Sequence, residues 1–301
     1  MNKIRKVAVL GAGVMGSGIA AHLANAGVPS LLLDIVLPEP SEDEKKKGWT
    51  KETPAFRNKL SAMGKENAIK AKPAALHTKE LADLITIGNL EDDLPKIADC
   101  DWVVEVVKEE LGVKKALFAN VVKYWKPGII VSSNTSGIAI ESMTEGLSKE
   151  FQEHFLVTHF FNPVRYMKLL ELVPGKVTNP EIMKQLAAFG EKTLGKGIVY
   201  GKDTPNFVAN RIGVYGILAT MKAMTDNGYE IDEVDKIMGK AMGKPGSAVF
   251  KTADLVGNDT LSHICTNVFG TLQSDEMMMA VKPAAEIFHK MFEKGLWGNK
   301  K

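Results

Sequence analysis

Cysteine is scarce in this 301-residue chain: Cys100 and Cys265 are the only two. Two thiols without Cys-x-x-Cys spacing form no redox or metal motif, and a chain this long needs no disulfide framework. Long apolar runs are missing as well. None reaches the roughly 18 residues that a membrane-crossing helix needs. Nor is there an excess of one charge, because 38 Lys and Arg face 36 Asp and Glu for a formal net charge of +2. That balance makes no case for nucleic acid, while acidic small molecules remain open through local patches. No Gly-x-Ser-x-Gly supports a serine nucleophile. No His and carboxylate cluster has ligand spacing, so no metal is expected. Met1-Asn2-Lys3-Ile4-Arg5 runs directly into the first apolar stretch, so no signal peptide is expected and the cytoplasm is the default setting. Hydrophobic residues at 45% and charged residues at 25% describe an ordinary globular chain, long enough for two domains with cores.

What is present is concentrated at the start. Val7-Ala8-Val9-Leu10 leads into Gly11-Ala12-Gly13-Val14-Met15-Gly16, and Leu31-Leu32-Leu33 ends at Asp34. This reads as buried strand, glycine turn, Ala-rich helix Val14–Asn25, second buried strand and an acid at its tip. The pattern suits a dinucleotide. The first two glycines permit a tight turn and close approach of backbone to a pyrophosphate, and the third lets the helix pack close to the sheet. Unpaired N–H groups at the helix start, at Gly13, Val14 and Met15, face the phosphate charge. Asp34 accepts hydrogen bonds from a ribose 2′-OH and repels a 2′-phosphate, which favours NAD over NADP. A glycine-rich turn without a ligand is the bland alternative.

The remaining text gives an α/β class: an N-terminal Rossmann-like domain over 1–203, then an all-helical domain over 204–301, with the boundary near Asp203-Thr204-Pro205. A charged insertion near 38–76 is expected to hold helical pieces Thr53–Met63 and Lys65–Ala71, interrupted at Met63-Gly64. Further strands are expected at Ile85–Ile87, Trp102–Glu105, Ile129–Ser133, Phe155–Phe161, Leu169–Val173 and Lys196–Val199. Lys108–Val122 should be a helix buried through Leu111, Ala116, Leu117 and Val121. Helices Asn206–Thr225, Ile231–Lys240, Ala248–Gln273 and Lys282–Lys294 should fill the second domain. Its Met277-Met278-Met279 suits either subunit contacts or an internal core.

Three polar clusters fall where the carboxyl ends of strands should lie. Ser132-Ser133-Asn134-Thr135-Ser136 follows a strand and can meet a nicotinamide or a substrate oxygen, or merely cap a helix over Ile138–Met143. Thr158-His159-Phe160-Phe161-Asn162-Pro163 ends another strand, with Glu171 on the next. His159 stands out from His22, His77, His154, His263 and His289, which show no obvious partner. A neutral imidazole can take a hydroxyl proton as hydride leaves the adjoining carbon, and a carboxylate on its other nitrogen fixes the tautomer. A structural His–Glu pair explains the same residues. Asn206 and Asn210-Arg211 begin the long helix, where Asn210 can hydrogen-bond a substrate carbonyl or simply join domains.

These residues together resemble the L-3-hydroxyacyl-CoA dehydrogenases. The likeness rests on the glycine segment Gly11–Ala20, Asn134-Thr135-Ser136, His159–Pro163 with Met167–Glu171, and Thr204–Arg211. It extends to Asp235–Gly239, Gly243–Gly246 and Asp254-Leu255-Val256-Gly257. The resemblance implies reversible hydride transfer between NAD and C3 of a coenzyme A thioester, chemistry shared by fatty-acid degradation and short-chain CoA metabolism. It assigns His159 as the general base and Glu171 as the acid that orients it, with Ser136 and Asn210 contacting the reacting oxygen. Asp34 matches the ribose acid, Glu109 and Lys114 match positions near the nicotinamide, and Asn162 matches a residue beside the histidine. Asn134 belongs with these on the cofactor side. Lys59, Lys65 and Lys70 become candidates for the CoA phosphates, although Val36–Ala75 departs from the family pattern. The chain stops at Gly295–Lys301 where relatives continue, which points to a longer polypeptide, such as one fused to an enoyl-CoA hydratase domain. Homodimers are a further expectation. Two rivals remain: another β-hydroxyacid dehydrogenase, whose lysine would have to be Lys202 or Lys222, and an NAD-responsive protein without turnover.

Overall fold

The computed structural model describes residues 3–298, and the chain divides into two compact units, Met1–Thr204 and Pro205–Lys301. In the first unit the chain runs β1 (Val7–Leu10), α1 (Val14–Asn25), β2 (Ser30–Asp34), α2 (Glu42–Lys46), α3 (Pro54–Arg57), α4 (Lys59–Lys70) and β3 (Ile85–Asn89). It continues with β4 (Trp102–Glu105), α5 (Leu111–Val121), β5 (Ile130–Ser133), α6 (Ile140–Thr144), α7 (Lys149–Glu153), β6 (Phe155–Phe160), β7 (Leu169–Pro174), α8 (Pro180–Lys192) and β8 (Gly197–Tyr200). The strands form one eight-stranded sheet in the order β3-β2-β1-β4-β5-β6-β7-β8. All neighbours are parallel except β6 and β7. The first six positions follow the doubly wound order, whose reversal between β1 and β4 opens a ligand crevice.

Why these segments are strands is plain from their burial. Val7–Leu10 and Trp102–Glu105 are buried throughout, as a parallel sheet covered on both faces requires. Alternate residues serve opposite layers. Val9, Leu32, Trp102, Val104, Leu156 and Leu170 join one core cluster with α1 and α8. On the other side Phe118 of α5 packs edge to face on Phe155 at 5.0 Å between ring centroids. Polar side chains inside the sheet pair with one another: the Trp102 indole N–H donates to Ser132 Oγ, which lies 2.8 Å from Thr158 Oγ1.

The structure corrects several local expectations. The break in the charged insertion falls at Asn58, between α3 and α4, and Gly64 lies inside α4. Gly64 is there for packing. A Cβ on it would meet Ala12 O at 2.5 Å and Ser17 Oγ at 2.7 Å, so the glycine lets α4 press against the turn that opens α1. Leu111 and Ala116 are exposed on α5, and Lys114, Leu117, Phe118 and Val121 form its buried face. Helix α8, capped by the Asn179 side chain accepting from Glu181 N, joins β7 to β8 where no helix was expected. The last strand begins at Gly197, because Lys196 N donates to Gly190 O outside the ladder while the Lys196 ammonium donates to Val164 O and Met167 O.

The second unit is wholly helical among its described residues: α9 (Ala209–Asn227), α10 (Ile231–Ile237), α11 (Phe250–Val256), α12 (Asn258–Thr271), α13 (Glu276–Val281) and α14 (Glu286–Glu293). Its core joins Leu218 and Met221 of α9 to Cys265, Val268, Met278 and Phe288. Helix α9 starts three residues later than expected. Asn206 and Phe207 sit at φ 62° and 45°, a left-handed backbone that cannot begin a right-handed helix. The methionine triplet divides, with Met278 buried in this core and Met277 exposed on α13. No helix among the described residues is long and apolar enough to cross a membrane.

Candidate functional site

The glycine turn is shaped by the atoms around it. Gly11 lies at φ +111°, and a Cβ there would meet Val106 O at 2.5 Å, so any side chain would be both strained and blocked. A Cβ on Gly16 would fall 1.8 Å from Gly11 O, so this glycine is required by the turn itself more than by helix–sheet packing. Gly13 has nothing within 4 Å of its missing Cβ and stays open for a ligand to approach. As N-cap of α1 it offers no side-chain cap, and the first turn carries no acid, so the helix start remains receptive to an anion. Met15 is half-buried and Val14 exposed beside it. Asp34 Oδ2 accepts from Ala12 N at 2.6 Å and Oδ1 accepts from Ile35 N, which fixes its carboxylate at the tip of β2.

Two clefts meet at Gly13, Val106, Val107 and Lys108. One, of about 700 Å³, is lined by Asp34 and by apolar Ile35, Val36, Leu90, Leu94 and Val113. The other, of about 530 Å³, is lined by Val14, Met15, Glu109, Lys114, Asn134, Ser136, His159, Phe161 and Asn162. An adenosine half suits the apolar cleft with its terminal acid, and a nicotinamide half suits the polar one.

In the second cleft His159 is placed by register. Across the antiparallel β6/β7 pair it lies directly opposite Glu171, so both side chains emerge on one face of the sheet. His159 Nδ1 donates to Glu171 Oε2 at 2.6 Å, and Glu171 is fully buried. That bond sets the tautomer, leaving Nε2 as the basic nitrogen. The Phe161 ring stands 4.4 Å from the imidazole. Phe160 also lines the cleft, while its ring is buried and stacks on Trp102. Asn134 Oδ1 accepts from Phe160 N and ties the β5 loop to the histidine strand.

Ser132–Ser136 is not a helix cap, since α6 begins after Ala139 without a side-chain cap. Instead Thr135 Oγ1 accepts from Gly137 N and Ile138 N while donating to Glu109 Oε1. Ser136 N donates to the same oxygen at 2.9 Å. Glu109 Oε2 lies 3.1 Å from the Lys114 ammonium, which is 2.7 Å from Glu105 Oε1, and Ser133 Oγ donates to Glu105 Oε2. Burial alone would raise the Glu109 carboxyl. The Lys114 charge and the bonds from Thr135 and Ser136 outweigh it, holding the group below the ordinary carboxylate range. Lys114 is itself only 1% exposed, at the wall of the cleft with its ammonium shared between Glu105 and Glu109. Sequence reasoning missed Glu105. Its signal was available, because Val103-Val104-Glu105 ends in an acid just as Leu32-Leu33-Asp34 does.

The three lysine candidates part company. Lys59 pairs with Glu44, Lys65 donates to Ile85 O, and Lys70 pairs with Glu66 on the exposed face of α4. A third cleft, of about 470 Å³, opens nearby between the start of α1, the end of α4 and the 162–166 segment, with Lys72 and Arg165 among its lining. Asn210 belongs to the second unit, half-buried in the first turn of α9 next to Arg211, whose guanidinium donates to Asp275. The other histidines do have partners: His22 with Leu194 O, His77 with Arg165, His154 with Glu150 O, His289 with Ser262, and His263 against the Phe292 ring. Lys222, offered for a lysine-dependent rival, is paired with Asp226 on α9.

Comparison with known proteins agrees over both units. Residues 6–204 match the family model for the NAD binding domain of 3-hydroxyacyl-CoA dehydrogenase, and residues 207–301 match the model for its C-terminal domain. A "Probable 3-hydroxyacyl-CoA dehydrogenase" of Bacillus subtilis is 52% identical over 297 residues, covering 99% of this chain and 37% of that protein. A protein of the same description from Deinococcus radiodurans is 47% identical over 298 residues, covering 99% of this chain and 81% of its own length. The crystal structure of FadB2 from M. tuberculosis superposes with a TM-score of 0.77 at 29% identity, covering 99% of this chain and 97% of that one.

Proposed function

The chain belongs to the 3-hydroxyacyl-CoA dehydrogenase family, and we propose that it reversibly oxidises L-3-hydroxyacyl-CoA to 3-oxoacyl-CoA with NAD. The observation that carries this reading is the buried His159–Glu171 pair at the wall of a cleft that begins at the glycine turn. Gly11, Gly13, Val14, Met15, Gly16 and Asp34 would hold the dinucleotide, with Glu109, Lys114, Asn134 and Asn162 around its nicotinamide end. NAD, once bound, supplies the hydride acceptor. His159 Nε2 takes the substrate hydroxyl proton as the C3–H bond breaks, and Glu171 balances the imidazolium that forms. Ser136 and Asn210 are the proposed partners of the reacting oxygen. In reduction the protonated His159 returns the proton to the developing alkoxide. Fixing these groups in place supplies rate through orientation.

For coenzyme A the third cleft is a better site than the three helix lysines. Lys59 and Lys65 already spend their ammonium groups inside the fold, whereas Lys72 stands exposed at the cleft's edge. A homodimer, a polypeptide longer than this chain and a cytoplasmic setting belong to the same reading. The second is supported by the B. subtilis relative, of which the match occupies 37%. The third is supported by two buried cysteines left as thiols.

The test follows NADH absorbance with purified protein and acetoacetyl-CoA, beside His159→Ala. Loss of about 10² to 10⁴ in rate on the substitution is expected for a general acid–base group. Unchanged turnover in His159→Ala would remove the proposed base, and NADH binding without wild-type turnover would reject this substrate class.

A further inference from the structure

Resting on the NAD reading above, we propose that the Glu105–Lys114–Glu109 cluster makes the cofactor cleft sense the redox state by charge, Glu109 raising the affinity for NAD+ relative to that for NADH. Two carboxylates share one ammonium here. Lys114 is closer to Glu105, at 2.7 Å, than to Glu109, at 3.1 Å, and both Lys114 and Glu105 are buried. Glu105 therefore uses up the lysine charge inside the protein, and the surplus negative charge resides on Glu109. Its side chain is 43% exposed and borders the cleft beside Met15 and His159.

Thr135 and Ser136 hold one Glu109 oxygen in place, so the carboxylate is a fixed charge and not a wandering side chain. The nicotinamide ring is cationic in NAD+ and neutral in NADH. A fixed anion at this end of the cleft attracts the first and is nearly indifferent to the second. Other charges leave that surplus standing. Lys108 is matched by Glu110 at 2.9 Å. The same charge opposes loss of positive charge from the ring, so Glu109 biases the bound equilibrium toward the oxidised cofactor.

The experiment measures dissociation constants for NAD+ and NADH by fluorescence titration, without substrate, in wild type, Glu109→Gln and Glu105→Gln. Glutamine keeps the Glu109 acceptor for Thr135 and Ser136 while removing the charge. NAD+ binding should weaken about three- to tenfold in Glu109→Gln with NADH held within about twofold, the range for a partly screened charge pair. Glu105→Gln, out of reach of any ligand, should shift the ratio the same way, because Lys114 then neutralises Glu109. Added salt should shrink the effect of Glu109→Gln on the NAD+/NADH ratio. Equal weakening of both cofactors, or no change in either, would overturn the proposal and leave Glu109 a positioning residue. Wild-type protein that binds neither cofactor would overturn the NAD reading along with it.

Discussion

Replacing Gly64 by alanine sets two effects of opposite sign against each other. In the interior of α4, alanine should gain roughly 1 kcal/mol over glycine from helix propensity. The new methyl, however, would sit 2.5 Å from Ala12 O, 2.7 Å from Ser17 Oγ and 2.9 Å from Ala12 Cβ. Reaching an ordinary 3.4 Å contact means a retreat of about 0.9 Å from a backbone carbonyl that is itself part of the glycine turn. Overpacking of this kind costs about 1–3 kcal/mol. The buried Ser17 Oγ–Ala12 O hydrogen bond is strained too, at about 1 kcal/mol for such a bond. The net expectation is a loss of about 1–3 kcal/mol, by the same terms. Because Ala12 N also donates to Asp34, NADH affinity should fall several-fold with it. Gly112→Ala is the control, since nothing lies within 4 Å of its missing Cβ in α5. Equilibrium unfolding followed by the fluorescence of Trp49, Trp102 and Trp125, with NADH titration, reads both quantities. Stabilisation of Gly64→Ala like that of Gly112→Ala, with cofactor affinity intact, would refute the packing argument.

Glu171→Gln should lower kcat by about 10² or more, because a neutral amide neither enforces the Nδ1–H tautomer nor balances the imidazolium. A kcat within about threefold of wild type would make the pair structural. Asp34→Asn should weaken NAD binding about tenfold or more, the value of a charged hydrogen bond, and relax rejection of NADP; isothermal titration with both cofactors checks this. His22→Gln should flatten the acid limb of stability. Burial, reinforced by the Lys196 charge, lowers the His22 pKa from 6.5 to about 4. The folded state thus binds fewer protons than the unfolded one between those values. Stability is full above pH 6.5 and falls by about 3 kcal/mol as pH drops to 4. Thermal melts across that window should show the loss in wild type and not in the variant.

How much of this was legible beforehand depended on whether the cause was local. Val7–Asp34 reads from the sequence because each part is its own constraint: a run buried on both faces, a turn that tolerates only glycine, an acid where a strand ends. The eight strands were visible as apolar runs for the same reason, and the helical character of the second unit followed from its spacing. Helix α8 was also legible, through Asn179-Pro180 and the buried spacing of Ile182, Met183, Leu186, Ala187 and Phe189, and was overlooked. His159 and Glu171 could be named as candidates, but a one-residue slip of β7 would have turned Glu171 to the opposite face.

What needed three dimensions was every fact that depends on which distant residue arrives opposite which. Gly64 looked like a helix break, and is a packing contact with a turn some fifty residues earlier in the chain. Lys59 and Lys65 looked like phosphate ligands until Glu44 and Ile85 took their protons' hydrogen bonds. That Lys114 is shared between Glu105, at the end of β4, and Glu109 showed only once the fold brought the three together. Local backbone preference and hydrophobic period are written residue by residue along the chain. Charge pairing and close packing are settled only when strand register and helix docking decide which groups lose their water together.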